Sequence, residues 1–137
     1  MRNVPTLENT FIEQIGTSVQ LIADGVGRYR ISVPFTFNDG DALVIILKQV
    51  GDQCVLSDEG HTYMHLAYSI EESRLEYGTR RQIIVQALRM FQVQERSGEL
   101  VLSIEYNDYA EALWSFVHAL LKIIDVTYLS QERECLP

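Results

Sequence analysis

The sequence predicts an α+β fold: an N-terminal helix, an antiparallel β-meander, two helices, a β-hairpin and a long C-terminal helix. Three observations carry that expectation. Tyr29, Ile31, Val33, Phe35 and Phe37 alternate with Arg30, Ser32, Pro34, Thr36 and Asn38, the period of a half-buried strand. Turn residues punctuate the apolar runs at Asn38-Asp39-Gly40-Asp41, Gly51-Asp52 and Arg96-Ser97-Gly98-Glu99. Apolar stripes at helical spacing recur near the N-terminus, over residues 79 to 91 and over residues 113 to 128.

Taken in order, Leu7, Phe11, Ile12 and Ile15 share one helix face, with Pro5 or Thr6 to start the helix and Gly16 to stop it. Thr17 to Ala23 reads as a strand with Val19, Leu21 and Ala23 on one face, ended by Asp24-Gly25. The alternating run at 29–37 follows, and Pro34, which lacks a backbone donor, pushes it toward an edge or a bulge. Ala42 to Val50 is expected as a strand buried on both faces, and Gln53 to Leu56 as its return. Ser57 or Asp58 is positioned to cap a helix carrying His61, Met64, His65 and Tyr68, and Thr79 with Gln82 to form a capping box for a second helix. That helix has Ile84, Leu88 and Phe91 as its stripe, and Gln82, Gln86 and Arg89 opposite. Phe91 to Gln94 and Leu100 to Tyr106 form a hairpin. A long helix opened by Asn107 or Asp108 carries Leu113, Trp114, Val117, Leu120, Leu121, Ile124 and Tyr128, with Phe116 and Ile123 widening the stripe. The last residues, SQERECLP, read as a frayed tail.

A chain of 137 residues, 47% hydrophobic and 22% charged, fits a single folded domain over residues 1–137 with a core of its own. No apolar run reaches the roughly 18 to 20 residues of a membrane span, and the first residues lack the apolar core of a signal peptide, so a cytoplasmic protein is expected. Cys54 and Cys135 form no C-x-x-C pair and are expected free. The net charge of −8 opposes binding to phosphate backbones. Against that background, Arg74, Arg80, Arg81, Arg89 and Arg96 concentrate positive charge between residues 73 and 96.

No complete active-site constellation is present. Asp39, Asp41, Asp58 and Glu59 sit at the corners of the meander, where turn and cap chemistry explains them, although four carboxylates also suit a magnesium-dependent hydrolase. The strand lysine, Lys48, has Ile46 two residues before it, so the acid-x-lysine pattern of restriction-type nucleases fails. His61 and His65 have the spacing of a zinc pair without the H-E-x-x-H motif. His118 reads as a core or rim residue. Ser57 and Cys54 lack a nucleophile context, and no phosphate-cradling glycine motif occurs. No cofactor or metal is expected.

The order helix, helix, hairpin over residues 61 to 106 is that of a winged helix. In that reading Arg80, Arg81 and Arg96 meet phosphates, while Gln82, Gln86 and Arg89 face a groove. Separately, Pro34-Phe35, Asp39-Gly40-Asp41, Val44 to Leu47 and Leu56-Ser57-Asp58-Glu59-Gly60, in that order, resemble a small bacterial and phage domain family of unknown function, over roughly residues 7 to 95. The resemblance implies a prokaryotic or phage origin, often on mobile elements, and brings no activity.

The function expected is a non-catalytic protein-binding module. Its partner, or a second copy of the chain, is expected to meet the corner acids Asp39, Asp41, Asp58 and Glu59 and the stripe residues Trp114, Val117 and Leu121. An acidic chain of this kind suits an inhibitor or regulator of a nucleic-acid-processing enzyme. The alternatives are a winged-helix-like DNA-binding regulator and the metal-dependent hydrolase.

Overall fold

The computed structural model describes residues 6–129; the expectations for Pro5, Cys135 and the tail fall outside them. The elements are α1 (Leu7–Thr17), β1 (Gln20–Ala23), β2 (Arg28–Ser32), β3 (Ile46–Val50), β4 (Gln53–Ser57), α2 (His61–Ala67), α3 (Glu72–Glu76), α4 (Gly78–Met90), β5 (Gln94–Arg96), β6 (Glu99–Ile104), α5 (Tyr109–Ile124) and a 3₁₀ turn (Asp125–Tyr128). Helices and an antiparallel sheet are combined as the α+β reading requires.

The sheet is six-stranded with the order β1-β2-β3-β4-β6-β5, and its ladders are antiparallel throughout. Its register sorts the side chains into two faces. Leu21 pairs with Ile31, Tyr29 with Leu47, Leu47 with Leu56, and Leu56 with Leu102, so one apolar row crosses five strands. The other face carries Arg28 opposite Lys48 and Lys48 opposite Val55. On the apolar face lies α5, which packs on β4 and β6 and against α2 and α4. Ala112, Leu113, Phe116, Val117, Ala119, Leu120, Ile123 and Ile124 are all buried there. Most of the wide apolar stripe of residues 113–128 is therefore consumed by the protein's own core, with Trp114 and Tyr128 left exposed.

Several local expectations are corrected. The alternating run yields strand only to Ser32; beyond it Pro34 cannot donate to a ladder, and an isolated bridge between Thr36 and Ala42 is what remains of the hairpin. The Asn38–Asp41 turn still forms, with Gly40 in the left-handed region at φ 91°. The buried strand is likewise shorter than Ala42 to Val50, starting at Ile46. The Thr79–Gln82 capping box does not form, because α4 starts at Gly78 and has no side-chain cap. Nor is the second hairpin a free wing. Its Ser97-Gly98 turn is the positive-φ pair of a two-residue hairpin, and β6 then pairs with β4, making the hairpin the far edge of the same sheet.

The N-terminal helix departs most from expectation. Thr6 caps α1 by accepting from the Asn9 N–H at 3.1 Å, and the apolar stripe forms as read. Yet none of its residues is buried.

Candidate functional site

Two kinds of site are present: polar clusters around the meander turns and an apolar surface around α1. The polar clusters begin at the β4–α2 turn. Glu59 and Gly60 both take positive φ there, which folds the chain back so that Asp58 lies beneath the start of α2. Asp58 is fully buried, and its carboxylate accepts from the backbone N–H of Gly60 (2.9 Å), Thr62 (3.1 Å) and Leu100 (2.9 Å). It caps α2 from three residues before the first helical residue, His61, and ties it to β6. Every carboxylate direction used is a backbone one, so Asp58 acts as a structural anchor.

Glu59 belongs to a different network. Arg28 donates to its carboxylate through both Nη1 and Nη2, and Lys48 Nζ lies 3.3 Å from Glu59 and 3.2 Å from Glu99. Ser57 Oγ donates to Glu99. The Arg28 hydrogen bonds hold the Glu59 carboxyl down at a pKa of about 2, despite partial burial, with Lys48 adding to the effect. The Ser57 and Lys48 contacts lower Glu99 as well. Burial works against the Lys48 charge, but Glu99 and Glu59 outweigh it and raise its pKa. Each charge in this network is matched by an opposite one, which is the arrangement of an ion-pair scaffold. Sequence reasoning missed Arg28 and Glu99 because their meeting with Lys48 depends on strand register and on the pairing of β4 with β6.

Asp39 and Asp41 gather elsewhere, with His65. One donor atom from each of the three lies within 4.8 Å of the others. Asp39 Oδ2 is 3.4 Å from His65 Nδ1, and Asp39 Oδ1 accepts from the Asp41 N–H. The His65 ring stacks on Phe37 at 3.7 Å. His61 instead places Nδ1 3.1 Å from the Asp58 carbonyl, so the two histidines do not form the zinc pair their spacing allows. The four corner acids thus divide three ways and do not make a single carboxylate centre.

The arginine-rich segment divides too. Arg80 is buried, with Nε donating to the Val126 carbonyl at 3.2 Å and Nη2 to the Leu129 carbonyl at 2.6 Å, and so fastens the end of the α5 region. Arg81 pairs with Glu95 at 3.3 Å. Arg96 donates to the Gln94 side chain at 2.8 Å. Gln82, Gln86 and Arg89 are exposed along α4, as read. Arg81, Gln82, Gln86 and Arg89 therefore line one shallow pocket along α4, beside Glu76, while Arg80 and Arg96 stand apart from it. Exposed His118 packs on Phe91, a rim position.

The apolar surface is larger. Leu7, Phe11, Ile12 and Ile15 of α1 are 81, 62, 68 and 55% exposed. Where α1 ends, a cleft of about 650 Å³ opens between its last turn, the apolar face of the sheet and the start of α5. Ile15 and Gly16 form one wall, Leu21, Tyr29, Ile31 and Leu47 the floor, and Leu113 and Trp114 the other wall. Trp114 packs edge-on against Phe35 yet stays half exposed. Of the stripe residues expected to meet a partner, Trp114 remains accessible, Leu121 is half-buried, and Val117 is inside the core. Cys54, a free thiol, also lines the cleft. The α1 stripe was legible as a helix face, but nothing in its periodicity reveals that no described residue buries it.

Among the described residues no helix is long and apolar enough to cross a membrane. No curated protein and no solved structure matches the chain. A family model described as "Domain of unknown function DUF1828" matches residues 33–123, well over half of the chain, and the chain belongs to that family. The matched segment contains the motifs between Pro34 and Gly60 and nearly all of α5, and starts after α1, β1 and β2.

Proposed function

We propose that this member of the family is a non-catalytic protein-binding module that docks its partner on the apolar face of α1 and the adjoining cleft. The observation that carries the reading is α1 itself. An eleven-residue amphipathic helix with four large apolar side chains in water and none buried is an unfinished interface. Helix-in-groove recognition uses the same i, i+4, i+8 anchors that Leu7, Phe11 and Ile15 supply.

The other readings draw less support. Acidic mimicry of nucleic acid calls for unpaired carboxylates on one surface, whereas Asp58 is buried and Glu59 is matched by Arg28 and Lys48. DNA contact through α4 would rest on Gln82, Gln86 and Arg89, with Arg80 and Arg81 engaged inside the chain. A hydrolase built on four corner acids lacks their convergence. A phage or mobile-element origin and a cytoplasmic location accord with the family resemblance and the acidic composition.

The test is capture from a nuclease-treated lysate that co-expresses tagged and untagged chain, comparing wild type with the double variant Phe11→Glu, Ile12→Glu. A discrete protein held by the wild type and lost from the variant is the expected result. Equal capture by both, or capture by neither, overturns the assignment of the docking face.

A further inference from the structure

Resting on that docking face, we propose that its occupant is a second copy of this chain, joined about a two-fold axis with the α1 stripe of each copy seated in the apolar cleft of the other. The chain carries both halves of such a contact. The stripe is a ridge without a groove, and the cleft beside it is a groove without a ridge. Ile15 belongs to both, so the two are continuous. A two-fold pairing satisfies both at once, because an isologous interface needs a surface complementary to itself.

The exposed area agrees. Leu7, Phe11, Ile12 and Ile15, with Leu21 and Trp114 at 58 and 45% exposure, leave apolar surface on the order of 800 Å² uncovered, the share each partner brings to a standard interface. The described cleft lining contains no carboxylate, ammonium or guanidinium. Glu8, in the first turn of α1, lies at the outer end of the stripe, where an interface rim takes charge. Each chain carries −8, so screening favours the pair, and association is expected to tighten from low to physiological salt.

Gly16 supplies a clean test. A Cβ built there meets nothing within 4 Å, so Gly16→Arg fits the isolated chain while putting bulk and charge into the cleft mouth. Sedimentation of the purified 137-residue chain between 1 and 200 µM should give about twice its 15.7 kDa. Phe11→Glu, which spoils the stripe, and Gly16→Arg, which spoils the cleft, should each weaken association roughly 30-fold or more, the effect of losing an interface anchor. Far-UV circular dichroism should stay that of the wild type. Mixing the two variants should restore association, since one intact stripe then meets one intact cleft and the other contact pairs opposite charges. A monomeric wild type at 200 µM overturns the proposal, as do variants that remain paired or a mixture that fails to associate. A monomeric wild type that still captures a different protein through α1 would remove the second copy as occupant and leave the docking face standing.

Discussion

α1 and α5 are both amphipathic helices with apolar side chains at helical spacing, and they have opposite fates. α5 buries eight side chains against the sheet and its neighbouring helices, and Phe116, Ala119, Leu120 and Ile123 are wholly inaccessible. α1 buries none. The pattern in each sequence states that a face will be covered, not by what. Position decides: α5 follows β6, which is paired on both sides, whereas α1 precedes β1, an edge strand. The family match divides the chain in the same place, starting at residue 33 and taking in nearly all of α5.

The largest effect should come from truncating one aromatic residue on each of these two helices. Phe116→Ala opens a cavity in a sealed core and should cost about 3–5 kcal/mol in denaturant unfolding. Phe11→Ala should fall within about 0.5 kcal/mol when measured at submicromolar protein, where association contributes little. A loss above about 2 kcal/mol for Phe11→Ala would mean that α1 is seated within its own chain, and the contrast would collapse.

A smaller effect sharpens the anchored side. Asp58 joins α2 to β6 through three backbone amides, and Asp58→Ala should cost about 2–4 kcal/mol by leaving those donors without an acceptor. Asp58→Asn, keeping one acceptor oxygen, should lose roughly half as much in the same measurement.

The smallest effect tests the tie between β2, on the N-terminal side of the matched segment, and the turn after β4. Glu59 is held near a pKa of 2 by Arg28 and Lys48, against an ordinary value of 4.5. A depressed carboxyl stabilises the fold above its unfolded value and loses that contribution as it is protonated. Stability should therefore fall as pH drops from about 4.5 toward 2. Glu59→Gln should flatten that part of the pH profile and cost about 1 kcal/mol at neutral pH, the scale of a partly exposed ion pair. An unchanged acid limb would locate the dependence in other carboxylates.

Local chemistry was legible at most places where a residue acts on its own neighbours, the Thr79–Gln82 capping box being the exception. Thr6 capping α1, Gly40 and Gly98 in their turns, and Pro34 interrupting the alternation follow from backbone geometry within a few positions. The helix, helix, hairpin order was also legible, but its winged-helix meaning was not. Whether β5 and β6 stand free or close a sheet depends on β4, some forty residues earlier. Arg80 shows the same limit: on the helix it looks like a surface cation, and only the approach of the 3₁₀ turn after α5 makes it a donor to the Val126 and Leu129 carbonyls. The corner acids were read as one set because each sits at a turn, yet three-dimensional placement sends them to three separate environments.

The sequence by itself determined the mixed helix and sheet content, the turns, the caps of α1 and α2 and the apolar faces. Those features depend on side-chain period and φ preference, which act over a few residues. Tertiary structure alone decided which faces were covered, which charges met and where the chain was left open. Burial and ion pairing are properties of surfaces brought together from distant parts of the chain. The stripe of α1 and the stripe of α5 are written in the same local code, and the sheet edge between them leaves one in the core and the other in solvent.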